Sequence, residues 1–173
     1  MKNTQNNIAY IDAANLYNGA RASGIDLDYA RFRVWLREKL GAQIAYLFIG
    51  LVPKNSRLYV MLQKAGYILV FKETILNGDG VPKGNCDADL VLRAVRDVFE
   101  TNYDKAVVVS SDGDYASLVE FLMEKNKISM IVSPSNKCSL LLRKTRSPII
   151  FLRDIRPLVK SRDEKAPDVD GTT

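Results

Sequence analysis

K-A-V-V-V-S-S-D-G-D-Y, residues 105–115, decides how the whole chain reads. Residues 106–109 form an unbroken apolar run rich in β-branched side chains, the pattern of a parallel strand buried on both faces. The run stops at Ser110 and Ser111 and delivers two carboxylates, Asp112 and Asp114, on either side of a glycine. Open α/β sheets take their ligands just outside the carboxyl ends of their strands, which is where these acids fall.

Outward from that stretch, strands and helices alternate. Residues 8–11 read as a short strand ending on Asp12, with a helix from about Ala14. Asp28 N-caps a second helix, in which Tyr29, Phe32, Leu36 and Leu40 keep helical spacing and Gly41 marks the end. Arg31, Arg33, Arg37 and Lys39 occupy its other face. Strands at 44–51 and 67–71 flank a helix at 56–65. The loop at 74–85, T-I-L-N-G-D-G-V-P-K-G-N, is long and glycine-rich, as functional or mobile loops are.

A helix at 87–100 leads into the central strand. Beyond the acidic turn come a helix at about 115–125, a strand at 128–132 and a short helix around 138–144. An apolar run at 149–152 and a helical piece near 154–160 complete the order. It predicts a single α/β domain over 8–160, with a mostly parallel central sheet covered by helices on both faces. Residues 1–7 read as a polar lead-in and 161–173 as a disordered tail.

Composition narrows the chemistry. The 173 residues include no histidine, which excludes His-based triads, His–metal sites and His proton transfer. Carboxylates, lysines, hydroxyls or a metal on oxygen ligands remain. Cys86 and Cys138 lack metal-ligand spacing and read as reduced thiols of a cytoplasmic protein. No apolar run nears the ~18 residues of a membrane span, and the polar start does not read as a signal peptide. The net charge is +5 and the pI about 9.2. A basic chain with its chemistry in acids fits an anionic substrate met by a cation; it equally fits a solvated basic surface.

Chain order gathers the acids. Asp12 ends the first strand, Asp112 and Asp114 come after the fourth, and Asp87 opens the helix before it. All four reach one edge if the first and fourth strands are neighbours, as a topological switch point between them would make them. Two carboxylates about 4 Å apart repel by roughly 4 kcal/mol at an effective dielectric of 20, so such a group stays ionised only around a cation. Oxygen ligands favour Mg²⁺ or Mn²⁺, which suit phosphodiester hydrolysis. Singly, each acid also has a structural role: Ser111 or Asp112 as a cap, Asp114 and Asp87 as first-turn acids, Asp12 in a turn. Asp89 lies on a different helix face from Asp87 and reads as a cap or solvent residue.

Three stretches, I-D-A-A-N-L-Y at 11–17, K-G-N-C-D-A-D-L-V-L at 83–92 and V-V-S-S-D-G-D-Y at 108–115, resemble the NYN domains. These are LabA-like relatives of the PIN-domain nucleases, and the likeness spans about residues 8–160. The resemblance implies a PIN-like three-layer α/β/α fold with a metal-dependent ribonuclease site. It implies Asp12, Asp87, Asp112 and Asp114 as catalytic acids and metal ligands. Asn15 would be a polar partner of the first acid, and Ser110 or Ser111 would help position metal or phosphate. Arg93 stands where some NYN domains carry a further acid.

For the phosphate backbone, Lys83, Arg143 and Lys144 are the first candidates, with Lys137, Arg146 and the arginines of the second helix behind them. Tyr17 or Tyr115 would stack on bases. Other chemistries fit less well: the glycine-rich loop lacks the G-K-[ST] ending of a phosphate loop, and Cys86 has no histidine to activate it. The expected function is a metal-dependent endoribonuclease acting on single-stranded RNA with Mg²⁺ or Mn²⁺. A non-catalytic RNA-binding or regulatory module is the alternative, and a small-phosphoester hydrolase a third. A membrane partner is not expected, and a homodimer stays open.

Overall fold

The computed structural model describes residues 5–73, 75–76, 82–83 and 86–155, without the side chains of 73, 75, 76, 82 and 83. Six strands build the central sheet: β1 (Asn7–Asp12), β2 (Ala42–Leu51), β3 (Ile68–Glu73), β6 (Ala106–Val109), β7 (Ile128–Ser133) and β8 (Ile149–Phe151). Their order is β3-β2-β1-β6-β7-β8, and every pairing is parallel. The chain thus lays β2 and β3 on one side of β1, then crosses to place β6 on the other. That is the switch point the sequence required.

Side-chain alternation divides one buried sheet between two cores. Ala9, Ile11, Val107 and Val109 face a cluster with Leu16 and Ala20 of α1 (Ala13–Ala22), Phe32 and Leu36 of α2 (Tyr29–Leu40) and Leu62 of α3 (Ser56–Lys64). Ile8, Tyr10 and Val108 face Leu90 and Ala94 of α4 (Asp87–Glu100), Leu118 and Leu122 of α5 (Ala116–Glu124) and Leu142 of α6 (Leu140–Lys144). A strand buried on both sides needs apolar residues at every position, which explains the unbroken runs in β1 and β6.

The helix ends obey local chemistry. Asp28 accepts from the Arg31 N–H at 3.0 Å, and Gly41 closes α2 at φ 64°, a left-handed conformation that favours glycine. Arg33 departs from the expected basic face. It is buried, and its guanidinium donates to the carbonyls of Gly66, Ala42 and Gln43 at 2.9, 3.0 and 2.6 Å. Three carbonyl acceptors make it a clasp between α2 and β2, out of reach of a phosphate backbone.

Two other expectations change. Part of the glycine-rich loop forms a small antiparallel pair, β4 (Ile75–Leu76) with β5 (Pro82–Lys83). A 3-10 turn, Leu152–Asp154, stands where the last helical piece was expected to begin. The proposed tail at 161–173 lies outside the described residues.

On the second core, Asp97 is 2% exposed and fully engaged. It accepts from Tyr10 Oη at 2.9 Å, from Arg93 Nε at 3.0 Å and from Thr101 Oγ1 at 3.2 Å. Arg93 also lies over the Tyr46 ring, 4.3 Å from its centroid. Asp97→Ala should therefore leave the Tyr10 hydroxyl unsatisfied and lower stability by about 1–3 kcal/mol in urea unfolding. It sits about 15 Å along α4 from Asp87, so the surroundings of Asp87 should not change; a variant as stable as wild type would remove this network from the account of the fold.

Candidate functional site

Because β1 and β6 run in register, with Ile11 opposite Val109, both chains leave the sheet at one level. Each exit is an aspartate that caps the next turn of chain. Asp12 Oδ1 accepts from the Asn15 N–H at 3.0 Å and starts α1. Asp112 Oδ1 accepts from the Asp114 N–H at 3.0 Å and starts a 3-10 turn, Gly113–Tyr115, ahead of α5. Asp87 is the first residue of α4. The capping roles read from the sequence and the convergence of the acids hold together, since one oxygen of Asp12 and one of Asp112 serve the backbone.

One oxygen each of Asp87, Asp112 and Asp114 lies within 4.8 Å of the other two. Asp12 stands beside this group, 7% exposed, and is tied to it by Tyr115. The Tyr115 hydroxyl is 2.6 Å from Asp87 Oδ1 and 3.1 Å from Asp12 Oδ2. A phenol has one proton and cannot satisfy two carboxylates at once. Burial raises the Asp12 carboxyl above the usual carboxylate range; bonds from the Asn15 N–H and Tyr115 oppose this, and the charges of Asp87 and Asp112 add to it. Burial, with Asp87 and Asp12 beside it, pushes the Tyr115 hydroxyl strongly upward, so it stays a donor.

The supporting residues sort by contact. Asn15 Oδ1 accepts from the Ser111 N–H at 2.8 Å, fastening α1 to the turn after β6. Ser110 Oγ accepts from the Asp112 N–H at 3.1 Å. The Ser111 hydroxyl points elsewhere: it is 3.0 Å from Ser133 Oγ and accepts from the Ser135 N–H at 2.9 Å. Gly113 is glycine for want of room, since a Cβ there would meet Ser139 Oγ at 2.5 Å and Leu141 at 3.2 Å. Asp89 neither caps nor stands free, but pairs with Lys72 at 2.9 Å. Arg93 pairs with Asp97, away from the acids.

Tyr115 is fully buried, so the stacking role expected of it does not hold; Tyr17, 49% exposed, presents a face. Arg143 and Lys144 are exposed in the last turn of α6, with Arg143 6.0 Å from the Phe151 ring centroid. The Lys83 side chain lies outside the described part. A cation that the sequence ranked lower, Lys137, borders a cleft of about 490 Å³ with Asp12, Asn15, Ser111 and Asp112. Gly19 forms its other side, where a Cβ would meet Pro134 at 2.7 Å.

The donor set fits a hard divalent cation. Its ligands are oxygens, and the neighbouring Cys86 thiol is pushed up to about 11 by burial and by the charges of Asp12, Asp89 and Asp87, so it stays protonated. The family model for the NYN domain matches residues 8–152. The chain belongs to the NYN domain family. It is 26% identical over 172 residues to the low amplitude and bright protein LabA of Synechococcus elongatus, covering 92% of this chain and 90% of that one. A solved protein of unknown function from Vibrio parahaemolyticus shares the fold at TM-score 0.67 and 22% identity, over 88% of this chain and 96% of that one. An NYN domain is a PIN-like nuclease fold, and here it holds its aspartate cluster at the carboxyl edge of the sheet. Among the described residues no helix is long and apolar enough to cross a membrane.

A raised carboxyl pKa makes ionised Asp12 a cost to the folded state. That cost appears as pH rises above the unfolded value near 3.8 and is complete above the folded value. Asp12→Asn keeps an Oδ1 for the Asn15 cap and removes the charge. At neutral pH in EDTA it should raise the Tm, each 1 kcal/mol relieved giving about 2–4 °C at this chain length. The gain should shrink as pH falls toward 3.8; a lower Tm at neutral pH would mean that no such cost exists.

Proposed function

We propose that this NYN domain is a metal-dependent endoribonuclease that hydrolyses phosphodiester bonds of single-stranded RNA at its aspartate cluster. The observation that carries the reading is the set of three carboxylates, Asp87, Asp112 and Asp114, with oxygens within 4.8 Å at a switch point of a PIN-like fold. Like charges that close are unfavourable without a counter-ion, and capping one turn does not by itself require three of them together.

Asp87, Asp112 and Asp114 would hold Mg²⁺ or Mn²⁺, with Asp12 beside them. When bound, the ion neutralises charge and polarises a phosphate oxygen. Asp112 keeps its Oδ2 for this while Oδ1 is engaged by the turn. The Tyr115 hydroxyl restrains both Asp87 and Asp12, so two acids from distant stretches hold one geometry. Asn15 and Ser110 restrain the turn itself.

Lys137 supplies positive charge along the cleft that leaves Asp12, which suits a phosphate chain entering from that side. Arg143 and Lys144 add basic groups in this reading, Lys83 remains a candidate from the sequence, and Tyr17 offers a stacking face. Single strands fit best because a narrow site at a sheet edge is reached by a flexible chain. The cytoplasm, where RNA and reduced thiols coexist, is the compartment this activity calls for.

Labelled single-stranded RNA incubated with Mn²⁺ or Mg²⁺ tests the reading. Cleavage should stop in EDTA and fall on the order of 100-fold or more in the Asp12→Asn/Asp112→Asn double variant. Cleavage that persists in the double variant removes the assigned site. Binding without cleavage reassigns the domain as an RNA-binding module, and turnover of small phosphoesters alone makes it a phosphatase.

A further inference from the structure

On the side of Asp12 away from the Lys137 cleft, the sheet edge is hollow and apolar. Between α1, the start of α2, the end of β2 and α3 lies a cavity of about 570 Å³. Leu47, Phe48, Leu58 and Leu62 line it, and Asp12 and Asp87 line it too. Its size is that of ordinary small-ligand pockets, which combine apolar walls with a few placed polar groups.

Two polar groups here have no work in the fold. Tyr29 is fixed through its backbone, whose carbonyl accepts from Tyr67 Oη at 2.8 Å. Among the described residues its own hydroxyl has no hydrogen-bond partner, and burial pushes that hydroxyl up to about 12, so it remains a donor. Asn55 precedes α3, where an asparagine ordinarily caps, yet its side chain makes no cap bond. Both residues are only partly buried, so water reaches these two groups, and a ligand entering the cavity can take the place of that water at no cost to the fold. By contrast, Tyr17, also on the wall, has its hydroxyl engaged by Arg21 Nη1 at 3.0 Å.

These walls set the chemistry of the occupant. Apolar and aromatic surfaces select a flat, largely apolar body. An amide presents a donor and an acceptor side by side, the complement of a nucleobase edge. Asp12 and Asp87 turn away a free anion, so a phosphate arrives only where a cation joins it to the acids. A base whose own phosphate lies at those acids meets every condition.

We propose that this cavity binds one nucleobase of the RNA strand, that of the nucleotide whose phosphate lies at Asp12 and Asp87, with the Asn55 amide reading the base edge and the Tyr29 hydroxyl donating to a base acceptor. The inference rests on the ribonuclease reading and deepens it. Asp12 and Ala14 line both this cavity and the Lys137 cleft, so the strand crosses Asp12 with a base on one side and phosphates on the other. Cleavage then depends on base identity at one position, and a paired base, held in its stack, is excluded.

Two measurements separate this inference from the reading beneath it. In EDTA, the four nucleosides, which carry no phosphate, are titrated by ligand-observed NMR against wild type, Asn55→Ala and Tyr29→Phe. At least one nucleoside should bind, and Asn55→Ala should weaken it about 10-fold or change the order of preference. In the second measurement, oligonucleotides varied at one position, one of them abasic, are cut with Mn²⁺. Wild type should prefer certain bases by about 10-fold, and both variants should flatten the preference while still cutting the abasic strand. Tyr29→Phe removes a single oxygen, which keeps a folded variant in hand.

If RNA is cut but neither substitution alters base preference or nucleoside binding, the pocket assignment is overturned and the ribonuclease reading stands. If RNA is not cut but nucleoside binding is lost in Asn55→Ala, the pocket stands and the ribonuclease reading falls. The absence of nucleoside binding together with equal cutting of all bases also overturns the pocket.

Discussion

When β1 and β6 pair in parallel with Ile11 opposite Val109, two segments about a hundred residues apart leave the sheet side by side, and the site depends on that pairing. Asp12 and Asp112 lie at the two exits, Asn15 reaches across to the Ser111 N–H, and Tyr115 returns to Asp12. These restraints tie caps and strand ends, the stiffest parts of an α/β fold. A register slip of one residue would turn Ile11 toward the wrong core and draw the acids apart, so the packing that selects the register also selects the site.

Helix α4 shows two ways of handling a carboxylate. Asp97, near its end, is buried and has Arg93, Tyr10 and Thr101 around it, so its charge is answered within the protein. Asp87, at its start, shares a tyrosine with Asp12 and stands within reach of Asp112 and Asp114. The chain carries a net charge of +5, so positive side chains are not scarce. Yet among the described residues neither Asp112 nor Asp114 has an ion pair of the kind that Arg93 makes with Asp97. The difference separates an acid whose charge a cation answers inside the protein from two, Asp112 and Asp114, whose charges no cation answers among the described residues.

Much of this was legible in the sequence. The β-branched runs of β1 and β6 announced strands buried on both sides, and Asp28 and Gly41 marked the ends of α2. What stayed hidden was whatever depends on adjacency. That β6 lies beside β1 is a choice among topologies, and composition does not select it. Arg33 looked like one of several surface arginines because its three carbonyl partners lie on segments 9 to 33 residues away. Tyr115 looked like a stacking platform, since nothing in D-G-D-Y says that the 3-10 turn swings its ring into the core. Tyr29 was legible only as a member of an apolar helix face and Asn55 not at all, because a missing hydrogen bond has no sequence signature.

The two oxygens of Asp12 and of Asp112 are divided between backbone and site, and the division has an evolutionary side. An asparagine in either place offers the turn the same acceptor and withdraws the charge. If the cluster works as proposed, a lineage could shed that chemistry through an amide-for-acid exchange and keep the caps and strands, with the Tyr115 contact on Asp12 Oδ2 the one bond to rearrange. In the proposed reading, selection on shape and selection on reactivity act on different atoms of one side chain.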